Sequence, residues 1–401
     1  MEDSKGSDAV SNLIGAMLLF GLIIILLALI QLQMVPVWIL SEEIDHQEKV
    51  QGDMAELRTS VSSVASTGFS ESAAIELGMN YPDFFVLRTP ISPAGTVTTS
   101  GRKELNITNA VTETNTETGD FWNGDTRTYN TTLISTFTDY NRLNAPVTRY
   151  GNSVVYSQDE KSRNASLLSG QTLINGRKIN LFFLSGDFTI SKIGSTSIDV
   201  QPVSTSNDRI SVTEENSVNP IKLVVPTFLP KKDWKEMMDK EQNAKVSNYS
   251  SGTSETPGTV NITLDKGVTY DVKMAKINVG NSSTDRKPAY LTKKRQGEIF
   301  VPEGGSTKLT VQLRDRFNNP VWNESLESEN LDNDSLTEDA MGTVKPQKTG
   351  TGIDGKAEFR YEAKDDVSVT DDQTDKIKVF LDSGLPDDRG TVIFNVTVRS
   401  R

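Results

Sequence analysis

Hydrophobic and polar positions follow three regimes along the chain. From Leu13 to Ile30 the sequence reads LIGAMLLFGLIIILLALI, eighteen residues without a charge, and apolar character resumes as MVPVWIL up to Leu40. The first run is about 27 Å long as a helix, and with its extension it spans a hydrocarbon core of about 30 Å with some tilt. The pattern predicts a transmembrane helix over 13–40, with Trp38 as an interfacial anchor and Pro36 kinking or ending the helix near the outer surface. A secretory signal would be shorter, begin with basic residues and finish at an A-x-A-like site, whereas this run continues into QLQMVPVW.

The second regime, 41–66, places Val50, Met54, Leu57, Val61 and Val64 at alternating spacings of four and three. That is a one-sided helical stripe. It is shorter than the three or four heptads a coiled coil needs, so an amphipathic stalk helix packed on its own domain is expected. His46 sits among Glu43, Asp45 and Glu48 and reads as a solvated residue.

Beyond Gly68 the period becomes two. Expected strands are FFVLRT (84–89), NSVVYS (152–157), KINLFFLSG (178–186), FTISKI, STSIDVQPV, IKLVVPTFL (221–229), TVNITL and TYDVKMAKINV (269–279), bounded by Gly, Asn, Asp and Pro turns. One helix is expected, at Lys231 to Ala244 after Pro230, with Trp234, Met237 and Met238 on one face. The stretch from Thr96 to Tyr129 is a polar excursion, either edge strands with loops or a mobile surface loop. Its aromatics Phe121, Trp122 and Tyr129 either contact a partner at the surface or tuck under the loop to anchor it. After the basic joint KKRQG (Lys293 to Gly297), about seven strand-like segments in roughly 100 residues have the rhythm of an Ig-like sandwich.

The fold class is therefore mainly β. A cytoplasmic N-terminus or leader (1–12), the transmembrane helix (13–40) and the stalk (41–66) precede a β-sandwich or jelly-roll-like ectodomain (67–292) with one inserted helix, and an Ig-like domain (293–401) follows.

Composition narrows the chemistry. There is no Cys, His46 is the single histidine, and 42 Lys+Arg face 54 Asp+Glu for a net charge of −12. Disulfides, thiolate metal sites, a Cys nucleophile and a basic nucleic-acid footprint are excluded. Nine N-x-S/T sequons, at Asn106, Asn130, Asn164, Asn248, Asn261, Asn281, Asn323, Asn333 and Asn395, are candidate N-glycosylation sites and fit an extracellular location. Gly350, Gly352, Gly355 and Lys356 imitate a phosphate loop, but Ala357 replaces the magnesium-binding hydroxyl and a strand-like KAEFRY follows, so an Asp354-Gly355 hairpin turn is expected. The acidic run Asp332, Asp334, Glu338 and Asp339 departs from a calcium loop, with Leu336 where an oxygen ligand belongs. No catalytic residue, cofactor or metal is assigned.

The N-terminal KGSDAVSNLIGAMLLFGLIIILLALIQ resembles archaeal type IV pilin-like proteins, and the run through EIDHQEKVQGDMAELR is similar to large surface proteins of haloarchaea. The first resemblance implies leader cleavage between Gly6 and Ser7. LTVQLRDRFNNPV and GIDGKAEFRYEA resemble a bacterial Ig-like domain of the invasin and intimin type, which implies a non-catalytic spacer. The resulting expectation is a non-enzymatic, single-pass cell-membrane protein with a large extracellular part for adhesion or envelope organisation. Its partners would be the lipid bilayer through 13–40 and pilin-like or envelope proteins; its ligand is unassigned. A filament subunit after leader cleavage and, remotely, a carbohydrate-active enzyme are the alternatives.

Overall fold

The computed structural model describes the chain apart from residues 1–3, 84–87, 113–115, 160, 217, 254, 281–285, 333–339, 366–372, 383 and 400–401, with side chains from residue 12 onward, 387 excepted. One helical column opens the chain: α1 (Ser4–Leu29), a π-helical turn (Ile30–Met34) and α2 (Val35–Thr67). Of the two outcomes expected at Pro36, a kink or an end, the helix does not end there. Pro36 falls in the first turn of α2, directly after the wider π turn, where the hydrogen-bond register changes and its missing N–H is absorbed. Gly68, at φ 72°, closes α2 by donating to the Val64 carbonyl at 3.0 Å, a left-handed cap that favours glycine.

All five stripe residues of the stalk are buried. Met54, Leu57, Val61 and Val64 enter a core with Ala73, Ile75 and Leu77 on one side and Val97, Ile134, Tyr150 and Val155 on the other. The stalk is thus a structural element of the body, held between two sheets.

Three sheets build that body. Sheet A runs in the order Glu71–Gly78, Gly194–Ser204, Tyr270–Val279, Lys178–Ser185 and Ile174–Asn175, with Ile210–Glu214 and Ala110–Val111 attached. Sheet B comprises Thr189–Lys192, Gly95–Thr99, Ile134–Thr138, Val147–Gly151, Val154–Gln158 and Ala165–Ser169. Sheet C comprises Ala244–Ser250, Gly258–Leu264, Lys222–Thr227, Lys103–Thr108 and Arg127–Thr131. Sheet A is shared between two cores. Along Tyr270–Val279, Tyr270, Val272 and Met274 face one core with sheet C, while Ala275, Ile277 and Val279 face the other with α2 and sheet B. Its apolar alternation changes phase at Met274 and Ala275, adjacent residues that enter different cores, and Lys178–Ser185 runs parallel beside it.

Three sequence expectations change. The polar excursion is neither a loop nor only edges: Lys103–Thr108 lies inside sheet C between Lys222–Thr227 and Arg127–Thr131, and each strand there buries residues such as Leu105, Ile107 and Tyr129. The helix after Pro230 is shorter, α4 (Lys231–Met238) with α3 (Glu117–Phe121) preceding it, because Ala244 must pair with Leu264 in sheet C. Of the strand expected at 84–89, residues 84–87 lie outside the described set, and Arg88 and Thr89 belong to no strand.

The C-terminal unit is a sandwich of two four-stranded sheets. Sheet D holds Pro288–Lys293, Ser306–Asp315, Lys356–Ala363 and Gly342–Lys348; sheet E holds Ile299–Pro302, Thr391–Arg399, Gln373–Leu381 and Leu326–Asn330. Its core centres on Leu309, Val311, Phe359, Tyr361, Val379 and Val396. The strand Pro288–Lys293, placed by sequence at the end of the body, hydrogen-bonds into sheet D.

The turn from Asp315 to Val321 joins the two units. Phe317 enters the body core, packing on Tyr129 and Phe183 with ring centroids 5.5 and 5.4 Å away. Asn319 donates to the Ser204 hydroxyl at 2.7 Å and the Met274 carbonyl at 3.0 Å. The Asp315 carboxylate accepts from the Ser204 hydroxyl and from the N–H groups of Phe317 and Asn319. Tyr290 stacks on Phe121 at 5.1 Å. Such a shared apolar core predicts one cooperative calorimetric transition for body and C-terminal unit together. Phe317→Ala is expected to lower the unfolding free energy by about 3 kcal/mol; two separate transitions in the wild type would contradict the shared core.

Candidate functional site

Two regions concentrate chemistry: a collar around the base of the column and a basic cleft at the junction. The collar begins at Gln31, whose side-chain amide pairs with the Arg88 backbone through both its N–H and its oxygen, at 2.8 and 2.9 Å. Above it Val35 and Ile39 pack with Met79, Tyr81 and Tyr140. Covering by the body therefore starts inside the predicted span, and the uncovered apolar stretch, Leu13 to Leu29, is about 26 Å long. Its large side chains are exposed, Leu18 at 71%.

Glu43 sits above this ring with no solvent exposure. Its carboxylate accepts from the Tyr81 hydroxyl at 2.5 Å and from the backbone N–H groups of Asn141, Arg142 and Leu143 at 2.9, 3.0 and 2.6 Å. A buried carboxylate needs such compensation, and main-chain donors supply it, with no cationic side chain in hydrogen-bond contact among the described residues. Burial and the bond to Glu43 push the Tyr81 phenol up to about 12. His46, one turn on, is 8% exposed, and its Nδ1 shares a 2.6 Å hydrogen bond with the Tyr140 hydroxyl. The sequence reading of His46 as solvated is thus corrected: the helix face carrying Glu43 and His46 packs onto the folded body while Asp45 and Glu48 stay exposed, and burial holds the imidazole below its ordinary value.

At the junction two adjoining cavities of about 270 and 320 Å³ share Asn130 and Lys276. Arg102 lines the first, and Arg286, Lys287 and Arg316 line the second. Burial, then Arg316 and Arg102, hold the Lys276 ammonium below its usual value. Sequence reasoning missed this cluster because its cations are scattered from Arg102 to Arg316 in an acidic chain.

The aromatics Phe121, Trp122 and Tyr129 are core residues, not surface contacts. Phe121 is covered by Tyr290, and Tyr129 stacks on Phe183 at 4.8 Å while donating to the Arg316 carbonyl at 3.1 Å. The surface they meet belongs to the C-terminal unit of the same chain. Among the sequons, Asn130, Asn164, Asn248, Asn323 and Asn395 are exposed, Asn106 and Asn261 are half-buried, and Asn281 and Asn333 lie outside the described residues. Gly6 and Ser7 have helical backbone within α1. Of the acidic run, Asp334, Glu338 and Asp339 lie outside the described residues. The glycine-rich segment is a hairpin loop between Gly342–Lys348 and Lys356–Ala363. At Gly355, φ 71° and a Leu313 carbonyl 2.7 Å from any added Cβ require glycine. Among the described residues no group of three or more His, Asp or Glu side chains is placed to hold a metal ion.

No family model matches the chain. An uncharacterized protein of Archaeoglobus fulgidus is 26% identical over 320 residues, covering 79% of this chain and 52% of that protein, so the chain spans about half the relative's length. Domains 4 and 5 of the S-layer protein SbsC align with 39% of this chain and 74% of that chain at 16% identity and a TM-score of 0.21. The Escherichia coli adhesin FdeC aligns with 82% of this chain and 92% of that chain at 9% identity and a TM-score of 0.19. Superpositions this loose carry no argument. The class stands on the chain's own architecture: a mainly β protein of stacked sheets hung on one long helix.

Replacing the caged carboxylate tests the collar. Glu43→Gln leaves main-chain donors facing an amide and is expected to cost about 1–3 kcal/mol in chemical denaturation. His46 sets a pH dependence of defined sign. Its folded value lies below the ordinary 6.5, so below that pH the unfolded chain binds a proton that the folded chain resists. Its stability contribution is present above about pH 6.5 and is lost as pH falls. In urea melts from about pH 7 to about pH 5, wild type should lose more stability than His46→Gln.

Proposed function

We propose that the chain is a single-pass surface protein of an archaeal envelope, anchored by the apolar part of its helix and displaying its β units as one rigid body for adhesion or envelope organisation. The observation that carries this reading is the unbroken helix Asn12–Thr67, 56 residues long, with no residue of its apolar window buried while its other end lies in the body core. An uncovered apolar cylinder of this length requires a lipid or protein environment. Cleavage as a secretory signal at the end of the run would cut between Gln31 and Val35, both held by the collar. The N-terminus lies in the cytoplasm and the exposed sequons Asn164, Asn248, Asn323 and Asn395 face outward, where glycans would extend the polar surface, whereas Asn130 lines the cleft at the junction and stays bare.

The same uncovered helix supports a second reading, a pilin-like subunit whose helix packs with copies in a filament after cleavage before Ser7. For the enzymatic alternative, turnover of a glycan panel by the purified protein is the measurement that decides. The anchored form is expected to stay in the membrane fraction after carbonate washing and to retain Met1 or Glu2 in intact-mass spectrometry. Release by carbonate would overturn the anchor; a mature N-terminus at Ser7 in purified filaments would establish the filament instead.

A further inference from the structure

The cations at the junction stand against the charge of the whole chain, which is −12. Five of them line the paired cavities, facing only Asp187 and Asp315 among the described carboxylates. Asp315 is committed elsewhere: it is buried and holds Ser204 and two backbone N–H groups. Two of the cations are also engaged. Arg286 donates to the Val203 carbonyl at 2.9 and 3.1 Å and to the Pro320 carbonyl at 2.7 Å, and Arg316 donates to the Thr128 carbonyl. The side chains of Lys276, Arg102 and Lys287 make no hydrogen bond or ion pair among the described residues.

Unpaired like charges crowded in a concave, partly desolvated site create a focused positive potential. Each cavity is many times the roughly 30 Å³ of one water molecule, too large for a bare mineral anion to fill. The walls add the amide of Asn130, which can hydrogen-bond a sugar hydroxyl, and apolar surface from Leu184, Val203 and Phe317.

We propose that this cleft binds an acidic sugar chain, with Lys276 at its centre and Arg102 and Lys287 on either side receiving the carboxylate or sulfate groups. The site lies away from the apolar helix, so it goes beyond the anchoring reading and does not depend on it.

The test uses the full chain in detergent, produced without glycosylation so that Asn130 is bare. The probes are oligogalacturonate, dextran sulfate, neutral dextran and sodium sulfate, followed by calorimetry. At about 0.15 M salt one or both acidic chains should bind, more tightly as salt is lowered, and neutral dextran should not. Lys276→Gln and Arg102→Gln should each weaken binding roughly tenfold, Lys276→Arg should retain it, and thermal unfolding should stay unchanged for Arg102→Gln at its exposed position. Binding unaltered in both charge-removing variants, equal binding of neutral dextran, or no binding of either acidic chain would overturn the proposal. Displacement of the bound chain by sodium sulfate at equal concentration would also overturn it, since the cleft would then read a mineral anion and not a sugar.

Discussion

The seating of α2 between sheets A and B is the constraint on which the rest of the body depends. Met54, Leu57, Val61 and Val64 are fully buried there, so the two sheets meet largely across a helix and touch each other directly where Leu77 and Gly78 approach Gly95 and Thr138. Sheet A must then be apolar on both faces, because its other side closes the core with sheet C. That requirement propagates to the junction, where the same core with sheet C takes in Phe317 and Tyr290 from the C-terminal unit. A helix stripe, a two-faced sheet and a shared core are successive consequences of one packing decision.

Polar groups follow a matching logic. Glu43, His46 and Gln47 lie on the buried side of α2 but near the end that adjoins the apolar run, where the loops around Tyr81 and Tyr140 supply donors and acceptors. The Asp315 turn does the same at the opposite frontier. In both places a buried carboxylate is met chiefly by backbone N–H groups and hydroxyls, which fixes chain geometry more tightly than an ion pair between flexible side chains does.

Much of this was legible in local pattern. The apolar run, the stalk stripe and strands such as Lys178–Ser185 announce themselves because their signal is carried by neighbours within a few residues. Strands such as Gly95–Thr99 and Arg127–Thr131 did not, because each buries mainly one large residue, Val97 or Tyr129, amid threonines. The fates of Glu43 and His46 were illegible for a different reason: their partners are 98 and 94 residues away. Likewise Tyr129 is satisfied by a carbonyl 187 residues downstream, so an aromatic in a polar stretch carried no local sign of whether it faced in or out. The basic cleft is non-local by construction, since its charges come from both units.

The continuity of the helix also has a mechanical meaning. Any force between the apolar end of the helix and the sheets is borne by the contacts that α2 makes with sheets A and B in their shared core. Gly68 is where the helix hands over to the first strand, Glu71–Gly78, which runs along the helix it has just left. The chain at that corner therefore doubles back on its own helix, and the first strand shares the core that the helix fills.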